Sequence, residues 1–311
     1  MFNDDEKKIV KMIPIPEFPK YRKIELEDKP IFDDLFKKYH PLISDFTFTN
    51  LFTWRYAHKF HISNIGDFVL VISLKDNNWR IYDPIGPIEK KKEIIKRCFS
   101  LLPATDTVRF VMLLDIAAEL FRGNSSYVIE EERNNFDYVY LTKNLIELKG
   151  KDYDSKRNFI KRFNEKYKYE YKRITKDDIE KCIFFEEEWC LNRDCFGIEG
   201  LEKERKAIKD MLVNFEYLKI KGGMLTINNK IEAVTLGEAL NKETFVVHIE
   251  KANSDYIGSY QVINQMFCSA EAVNYKYVNR EQDLGIPGLR NSKESYHPHK
   301  MIKKYTLALN Q

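Results

Sequence analysis

The sequence has few of the residues that define fibrous, disordered or cysteine-stapled proteins. Its 311 residues include 12 Gly, 10 Pro and only 5 Cys, which excludes collagen-like chains, disordered chains and disulfide scaffolds. Long apolar runs are missing too, because runs such as 108–114 and 245–249 fall far short of the ~20 residues that a spanning helix needs. With 43% hydrophobic residues the chain can bury a sizeable core, and its length suggests two domains.

An excess of charge of either sign is also missing. The chain has 51 Lys and Arg against 48 Asp and Glu, a formal net charge of +3, so a nucleic-acid partner would have to be contacted by a local patch. The first ten residues are acidic and then basic, with no apolar segment, which fits neither a secretory signal nor a transit peptide. We therefore expect a cytoplasmic protein.

The cysteines are odd in number and form no CxxC pair, as expected for reduced thiols in a reducing compartment. Cys190 with Cys195, and His297 with His299, are candidate metal ligands, but zinc sites usually combine two close pairs. We therefore predict no bound metal. The signatures of a Ser-His-Asp elbow, a P-loop, HExxH and GxGxxG are also missing.

The order of predicted elements indicates an α+β protein built from two similar halves. After a proline-containing arm, the first half has a short helix, a three-stranded meander (59–63, 68–74, 79–82), a helix (87–102), a strand (108–113), a helix (115–121) and a strand (127–131). The second half has two helices (176–191, 201–215), a meander (217–227, 230–240, 244–249), a helix (258–273), a strand (276–279), a helix (288–295) and a strand (305–309). We predict domains at 1–150 and 151–311.

A polar loop after the third strand of the second meander leads into a helix at Gly258, Ser259 and Tyr260. The free N–H groups and the positive dipole end of a helix start suit a phosphate or a carboxylate, and a glycine lets a ligand approach the backbone. The alternative is an ordinary helix cap. The sequence therefore indicates a candidate anion site in the second half, and we expect the first half, which has no such loop, to be structural.

A second candidate region follows the strand 276–279. The stretch 279–290 combines charges of both signs, amides, two glycines and a proline, which is typical of a rigid loop that presents polar groups at the carboxyl edge of a sheet. Many hydrogen-bond donors follow between 293 and 305. The alternative interpretation is a solvated basic segment.

The third candidate region is the segment 149–176, which has 11 Lys and Arg against 4 Asp and Glu, a local balance of +7. Apolar residues of 154–167 form one helical stripe, which would leave Lys156, Arg157, Lys161 and Arg162 on exposed arcs. Such a patch attracts phosphate polymers whatever the total charge. A solvated helix face explains the pattern equally well.

Six segments carry distinctive motifs: 46–54, 154–158, 258–264, 279–290, 293–298 and 304–305. Together they resemble an uncharacterised bacterial family related to the C-terminal catalytic domain of phosphatidylglycerol lysyltransferase. Members of this family have two tandem GNAT-like (acyl-CoA N-acyltransferase) domains, so the resemblance implies two such domains here, each with a mixed sheet flanked by helices. It also implies transfer of an activated acyl group, without a covalent enzyme intermediate, from tRNA or coenzyme A to an amine or hydroxyl.

The resemblance implies roles for named residues. Glu250 or Asp283 would be the general base, and Tyr296 would stabilise developing charge. Donor-binding residues would be Gly258, Ser259, Tyr260 and Asn264.

The acceptor or acyl pocket is implied at positions that follow the last predicted strands. Its residues would be Glu281, Arg290, Lys293, Lys304 and Tyr305. The basic patch Lys156, Arg157, Lys161 and Arg162 would contact tRNA.

Three functions remain open at this point. The first is an aminoacyl-tRNA-dependent transferase with a small-molecule, peptide or lipid acceptor. The second is a coenzyme A-dependent N-acetyltransferase, although a glycine-rich pyrophosphate loop is not recognisable. The third is a non-catalytic binding module on the same fold. We expect no permanently bound cofactor, with aminoacyl-tRNA or acyl-coenzyme A as co-substrate. The membrane-embedded half of the lysyltransferase has no counterpart in this sequence, so only peripheral membrane contact is considered.

Overall fold

The computed structural model describes residues 13–192 and 198–310. The described chain forms two mixed sheets of seven strands each. In chain order the strands are β1 (Arg22–Lys23), β2 (Phe60–Ile65), β3 (Phe68–Lys75), β4 (Asn78–Tyr82), β5 (Thr107–Leu113), β6 (Tyr127–Glu131), β7 (Asp137–Leu141), β8 (Tyr169–Arg173), β9 (Lys221–Ile227), β10 (Lys230–Ala239), β11 (Thr244–Ala252), β12 (Tyr277–Asn279), β13 (Lys300–Ile302) and β14 (Tyr305–Leu309).

Helices flank both sheets, so the predicted α+β class is confirmed. The α-helices are α1 (Lys29–Tyr39), α2 (Phe48–Thr53), α3 (Arg55–His58), α4 (Ile88–Leu101), α5 (Asp115–Glu119), α6 (Thr142–Glu147), α7 (Asp154–Lys166), α8 (Ile179–Leu191), α9 (Glu199–Val213), α10 (Phe215–Leu218), α11 (Ser259–Phe267) and α12 (Pro287–Glu294).

Short helical turns complete the described secondary structure. The 3-10 turns are Leu26–Asp28, Ser44–Phe46, Arg133–Asn135, Lys151–Tyr153 and Lys176–Asp178, and a π-helical turn, Cys268–Ala272, continues α11. Within the described ranges, no helix is both long enough and apolar enough to cross a bilayer.

Tight turns of asparagine and aspartate hold the predicted meanders together. Asn228 and Asn229 join β9 to β10 with φ of 51° and 63°, and Asp76 and Asn77 join β3 to β4 with φ of 49° and 60°. Two successive residues with positive φ match the right-handed twist of the flanking strands, and these residue types tolerate that conformation. The meanders β2–β3–β4 and β9–β10–β11 therefore appear as the sequence predicts.

The two sheets exchange strands across the predicted domain boundary. The first sheet has the order β1-β2-β3-β4-β5-β14-β6, and the second has the order β13-β7-β12-β11-β10-β9-β8. β7 belongs to the first half of the chain but pairs in the second sheet. β14 belongs to the second half but pairs in the first sheet. A simple division at 150 does not describe these sheets.

Some elements differ from the sequence prediction. The strand predicted at 217–227 begins only at Lys221, because α10 occupies Phe215–Leu218. The strands β7, β8 and β13 and the helices α2, α3 and α6 were not predicted. They are short or strongly charged, so their hydrophobic periodicity is weak.

The halves share one apolar core. Phe32, Phe46 and Phe52 of the first half cluster with Met211 and Leu236 of the second half, and all five side chains are buried. A core of this kind holds the two sheets in one fixed arrangement, since apolar burial stabilises both halves together.

Candidate functional site

The second sheet splits at the carboxyl end of β12. β11 and β12 are parallel and paired only as far as Val246 and Asn279. β11 continues to Ala252, whereas the chain after β12 stays with β7, where the Arg280 N–H donates to the Tyr138 carbonyl oxygen at 2.9 Å. Beyond Val246 of β11 and Asn279 of β12 the two segments separate, and we call the gap between them the fork. Diverging carboxyl ends of parallel strands are where sheets of this type bind ligands.

The corresponding parallel pair of the first sheet does not split. β4 pairs with β5 along its whole length, from Asn78 with Thr107 to Tyr82 with Val111. This difference between the sheets places the candidate site in the second half.

An ion pair between Glu250 and Arg280 occupies the fork. Glu250 lies on β11, and its carboxylate accepts from Arg280 Nη2 at 3.0 Å and from Asn264 Nδ2 at 2.7 Å. The Arg280 side chain is only 10% exposed and lies over the rings of Tyr296 and Tyr140, at 4.8 and 5.7 Å from their centroids. Its Nη1 atom is buried and has no hydrogen-bond partner among the described residues. The guanidinium therefore keeps one donor nitrogen for a ligand.

Two lysines converge on this arginine. Lys293, on α12, donates from Nζ to the Arg280 carbonyl oxygen, and burial together with the nearby guanidinium lowers the pKa of Lys293 to about 8. Lys156, on α7, donates to Ser295 Oγ at 2.6 Å and lies 4.4 Å from the Tyr296 ring centroid. Burial and Arg280 also lower the pKa of Lys156. Three cations therefore surround a site that contains Glu250, an arrangement suited to developing negative charge.

Tyr296 supports these cations with its ring. The residue is 3% exposed, and its carbonyl oxygen accepts from the Tyr153 hydroxyl at 3.0 Å. Burial raises the pKa of Tyr296, so its phenol stays protonated. The contacts of its ring face with Arg280 and Lys156 explain its position in the site.

Asp283, predicted as a base, is held as a fully bonded carboxylate. It accepts hydrogen bonds from the Tyr138 hydroxyl at 2.6 Å, Arg133 Nη1 at 3.0 Å, Arg290 Nε at 2.9 Å and the Gly285 N–H at 2.7 Å. Although burial opposes ionisation, these hydrogen bonds hold the pKa of Asp283 well below its usual range. Such a group is a poor proton acceptor near neutral pH. Asp283 and Arg290 instead fix the loop between β12 and α12.

A buried histidine, which the sequence did not single out, lies on the β11 side of the fork. β11 bulges at His248, which is skipped in the pairing with β10. His248 Nδ1 contacts Glu281 Oε1 at 2.8 Å, and Nε2 contacts Glu238 Oε1 at 2.9 Å. Burial alone would lower the pKa of His248, but the two carboxylates outweigh it and raise the pKa to about 9. Glu281 also accepts from Asn50 Nδ2 at 2.9 Å, which ties the first half to the fork.

Lys304 and Tyr305, predicted in the acceptor or acyl pocket, are both buried in the protein. Lys304 is 0% exposed, and its ammonium binds the carboxylates of Asp45 and Asp137, the latter at 2.6 Å. Tyr305 lies on β14 in the core of the first sheet. Asp137 also accepts from Asn279 Nδ2 at 2.7 Å, at the end of β12. Lys304 acts as a buried link between the halves.

The start of α11, predicted to bind the donor, is covered by protein. Gly258 is buried with φ of 101°, and a Cβ there would lie 2.6 Å from the Phe159 carbonyl oxygen of α7. Ser259 is 2% exposed, and its hydroxyl donates to the Asn253 carbonyl oxygen at 2.9 Å. Tyr260 is partly buried in the apolar cluster below this helix. The glycine therefore permits close packing of α7 on α11, and Asn264 is the predicted donor residue that reaches the fork.

The basic helix α7 divides into a buried end and an exposed surface. Lys156 is buried in the site, contrary to its predicted exposure. Arg157 is exposed but tied to Asp154 and to the carbonyl oxygens of Leu148 and Gly150. Lys161 and Arg162 are exposed as predicted.

Sequence reasoning named Glu250, Asn264 and Lys293 but missed Arg280 and His248. Arg280 directly follows the last residue of β12, and this position at a strand end was an available signal. His248 had none, because a bulge within a strand cannot be predicted from alternation. Of the cysteines weighed as a metal pair, Cys190 is buried on α8 and Cys195 lies outside the described residues.

The two mixed sheets flanked by helices fit two tandem GNAT-like domains. Residues 36–308 match the family described as phosphatidylglycerol lysyltransferase, C-terminal. The chain belongs to this family, which confirms the resemblance found in the sequence.

Solved and curated relatives agree with this assignment. A conserved protein of unknown function from Bacteroides thetaiotaomicron is 34% identical, with a TM-score of 0.85 over 93% of this chain and 99% of the other. The C-terminal domain of a proposed lysylphosphatidylglycerol synthetase from Agrobacterium fabrum is 13% identical, with a TM-score of 0.66 over 92% of each chain, and shares the fold. An uncharacterized protein of Mycoplasmoides gallisepticum is 25% identical over 72% of this chain and 73% of its own length.

Proposed function

We propose that the protein transfers an aminoacyl group from tRNA to an amine or hydroxyl acceptor at the fork. The observation that carries this proposal is the buried group of Arg280, Glu250 and Lys293 where β11 and β12 part. It combines a cation with a free donor nitrogen and an amine whose pKa lies near 8. The family name, a lysyltransferase, supports an aminoacyl donor.

In the proposed reaction, the acceptor nitrogen or oxygen attacks the carbonyl carbon of the aminoacyl ester. The carbonyl oxygen becomes an oxyanion, and Arg280 Nη1 donates a hydrogen bond to it. Such a preorganised donor contributes about 10²- to 10³-fold to the rate in other acyl-transfer enzymes. Collapse of the tetrahedral intermediate breaks the bond to the ribose oxygen of tRNA. Glu250 is a positioning residue that holds the guanidinium in place through its 3.0 Å ion pair.

Lys293 is the proposed proton carrier. Because burial lowers its pKa to about 8, its neutral amine is more available near neutral pH than that of an exposed lysine. The neutral amine takes the proton from the attacking acceptor, and the resulting ammonium gives it to the departing ribose oxygen. Both oxygens of Glu250 already accept hydrogen bonds, from Arg280 and Asn264, so Lys293 is the better candidate for this step.

α7 is the proposed path for tRNA. Lys156 lies in the site and Arg162 lies on the exposed surface, about 9 Å further along the helix axis. A groove of about 400 Å³ on the same helix is lined by Arg157 and Lys161, and also by the acidic residues Glu147 and Glu165. Its volume is within the usual range of ligand sites. Phosphates of the tRNA acceptor end would follow this helix to the fork.

A lipid is the acceptor class with direct support from the surface. Leu284, Ile286 and Leu289 are 60%, 49% and 42% exposed in and after the loop that leaves the fork. Exposed apolar side chains concentrated in one loop are typical of contact with an apolar partner. Peptide and small-molecule acceptors are the alternatives that the assay must include.

The test compares donors by thermal shift and by transfer. Charged total tRNA, the same tRNA uncharged, and acetyl-coenzyme A are each added at one common concentration. A ligand present at about a hundred times its dissociation constant should stabilise the protein by about 2.7 kcal/mol. Radiolabelled aminoacyl groups are then followed into lipid vesicles, peptides and small amines. Stabilisation and turnover with charged tRNA support the proposal. Turnover with acetyl-coenzyme A alone would support the N-acetyltransferase, and binding without turnover would support the binding module.

An Arg280→Lys variant tests the site itself. It keeps a positive charge beside Glu250 but cannot present the second guanidinium nitrogen. We expect at least a tenfold loss of transfer with unchanged binding of uncharged tRNA. Arg122→Lys, in the exposed part of the first half, is the matched control.

A further inference from the structure

Two buried side chains share the Glu250 carboxylate, and each keeps one polar atom without a partner. Asn264 Nδ2 donates to one oxygen at 2.7 Å, and Arg280 Nη2 donates to the other at 3.0 Å. Asn264 Oδ1 and Arg280 Nη1 are buried and have no hydrogen-bond partner among the described residues. The fork therefore holds one unsatisfied acceptor and one unsatisfied donor around a single carboxylate.

The orientation of the amide is determined by its neighbour. A carboxylate only accepts hydrogen bonds, so the NH₂ group of Asn264 must face Glu250 and its oxygen must face away. Asn264 is 1% exposed, and a buried acceptor without a partner is rare and unfavourable in folded proteins. A ligand that brings both an acceptor and a donor would satisfy both atoms at once.

An α-aminoacyl group has this pair of functions. Its carbonyl oxygen accepts and its α-ammonium donates, and the two atoms are about 3 Å apart because they are carried by neighbouring carbons. Arg280 Nη1 and Asn264 Oδ1 belong to groups that lie within one hydrogen bond of the same carboxylate. Glu250 holds both groups in place through these two hydrogen bonds.

We propose that Asn264, Glu250 and Arg280 together recognise the α-amino group and the carbonyl of the transferred aminoacyl group. This inference rests on the proposed function and adds the basis for donor selection. An acetyl thioester has the carbonyl but no α-amino donor. It would leave Asn264 Oδ1 unsatisfied, so the site discriminates against simple acyl groups.

The first experiment uses the wild-type protein alone. Total tRNA charged with a mixture of the twenty amino acids is compared with the same preparation after N-acetylation, and after nitrous acid treatment, which replaces the α-amine by a hydroxyl. Filter binding and acyl transfer are measured for each. The hydroxyl and the amide N–H can still donate but carry no charge, so we expect binding and transfer to be about fivefold weaker than with the α-ammonium, the difference between a charged and a neutral hydrogen bond.

The second experiment removes the amide. Asn264→Leu should reduce the ratio between intact and deaminated donors to near one and leave binding of uncharged tRNA unchanged. Asn214→Leu is the matched control. It makes the same substitution between α9 and α10, where Asn214 Nδ2 donates to the Asp210 carbonyl oxygen at 2.9 Å, and it should keep the wild-type ratio.

The outcomes separate the two proposals. Equal use of intact and deaminated donors by the wild-type protein overturns this inference and leaves aminoacyl transfer standing. A preserved ratio in a folded Asn264→Leu protein also overturns it, because the selection would then reside elsewhere. Failure of the wild-type protein to bind or use any charged tRNA overturns the proposed function and this inference with it.

Discussion

Replacing Lys304 by methionine should destabilise the whole protein, because the substitution leaves two carboxylates without their cation. Lys304 and Asp137 are both 0% exposed, and the ammonium also binds Asp45. Methionine keeps most of the apolar stem, so the change isolates the charge. Removing one partner of a buried ion pair costs about 3–5 kcal/mol in other proteins. For a chain of this size that corresponds to a fall in Tm of roughly 5–8 °C.

The assay is thermal unfolding at several pH values, with Lys303→Met as the control. Lys303 pairs with Glu131 on the surface, where both side chains are about half exposed, so its loss should be barely measurable. Burial already raises the pKa of Asp45, and Lys304 opposes that shift. Without Lys304 the pKa of Asp45 should rise further. The loss of stability in Lys304→Met should therefore be largest at high pH, and it should decrease as the pH falls and Asp45 takes a proton.

A second substitution tests the pairing directly. Asp45→Asn combined with Lys304→Met should be less destabilising than the sum of the single changes, because the double variant has one fewer unpaired charge. If Lys304→Met melts like the wild type but no longer transfers an acyl group, the reasoning fails. Lys304 would then belong to the substrate pocket, as the sequence suggested.

Three further expectations follow from the site and its supports. The transfer rate should rise as the pH passes about 8, since the lowered pKa of Lys293 makes its neutral form available there. In a pH–rate profile, Lys293→Arg should show no such rise, and its rate should be about 10²- to 10⁴-fold lower. Gly258→Ala should lower the free energy of unfolding by about 1–3 kcal/mol, because φ is 101° and the added Cβ would meet the α7 backbone. The control is Gly200→Ala, where no atom lies within 4 Å of the added Cβ, and it should be nearly neutral in a melting assay. Charge reversal at Lys161 and Arg162 should weaken tRNA binding and flatten its dependence on salt, and an unchanged salt slope would remove α7 from the tRNA path.

The sequence predicted the local elements well where their pattern is strong. Both meanders, the long helices and the final strand have clear alternation or helical periodicity, and asparagine and aspartate mark the turns. It also carried the family resemblance through motifs such as 258–264 and 279–290. β7 and β8 were missed because they are only five residues each and lie close to charged segments.

The site was predicted only in part, because its members come from distant segments. Asn264, Glu250 and Lys293 meet in the fork. Arg280 joins them only because the chain after β12 separates from β11 and continues beside β7. Lys304, Tyr305 and Gly258 matched family motifs, yet burial and strand exchange give them structural positions. A motif reports which residues belong together and does not report which of them face a ligand.

The sequence by itself determined the class of fold, the family and the half of the chain that carries the candidate site, since these depend on local periodicity, turn residues and motif identity. The tertiary structure decided which charges are buried, which are paired and where a sheet opens. Those properties depend on contacts between residues far apart in the chain, such as Lys304 with Asp45 and Arg280 with Glu250. Neither ion pair can be predicted from the sequence next to either partner.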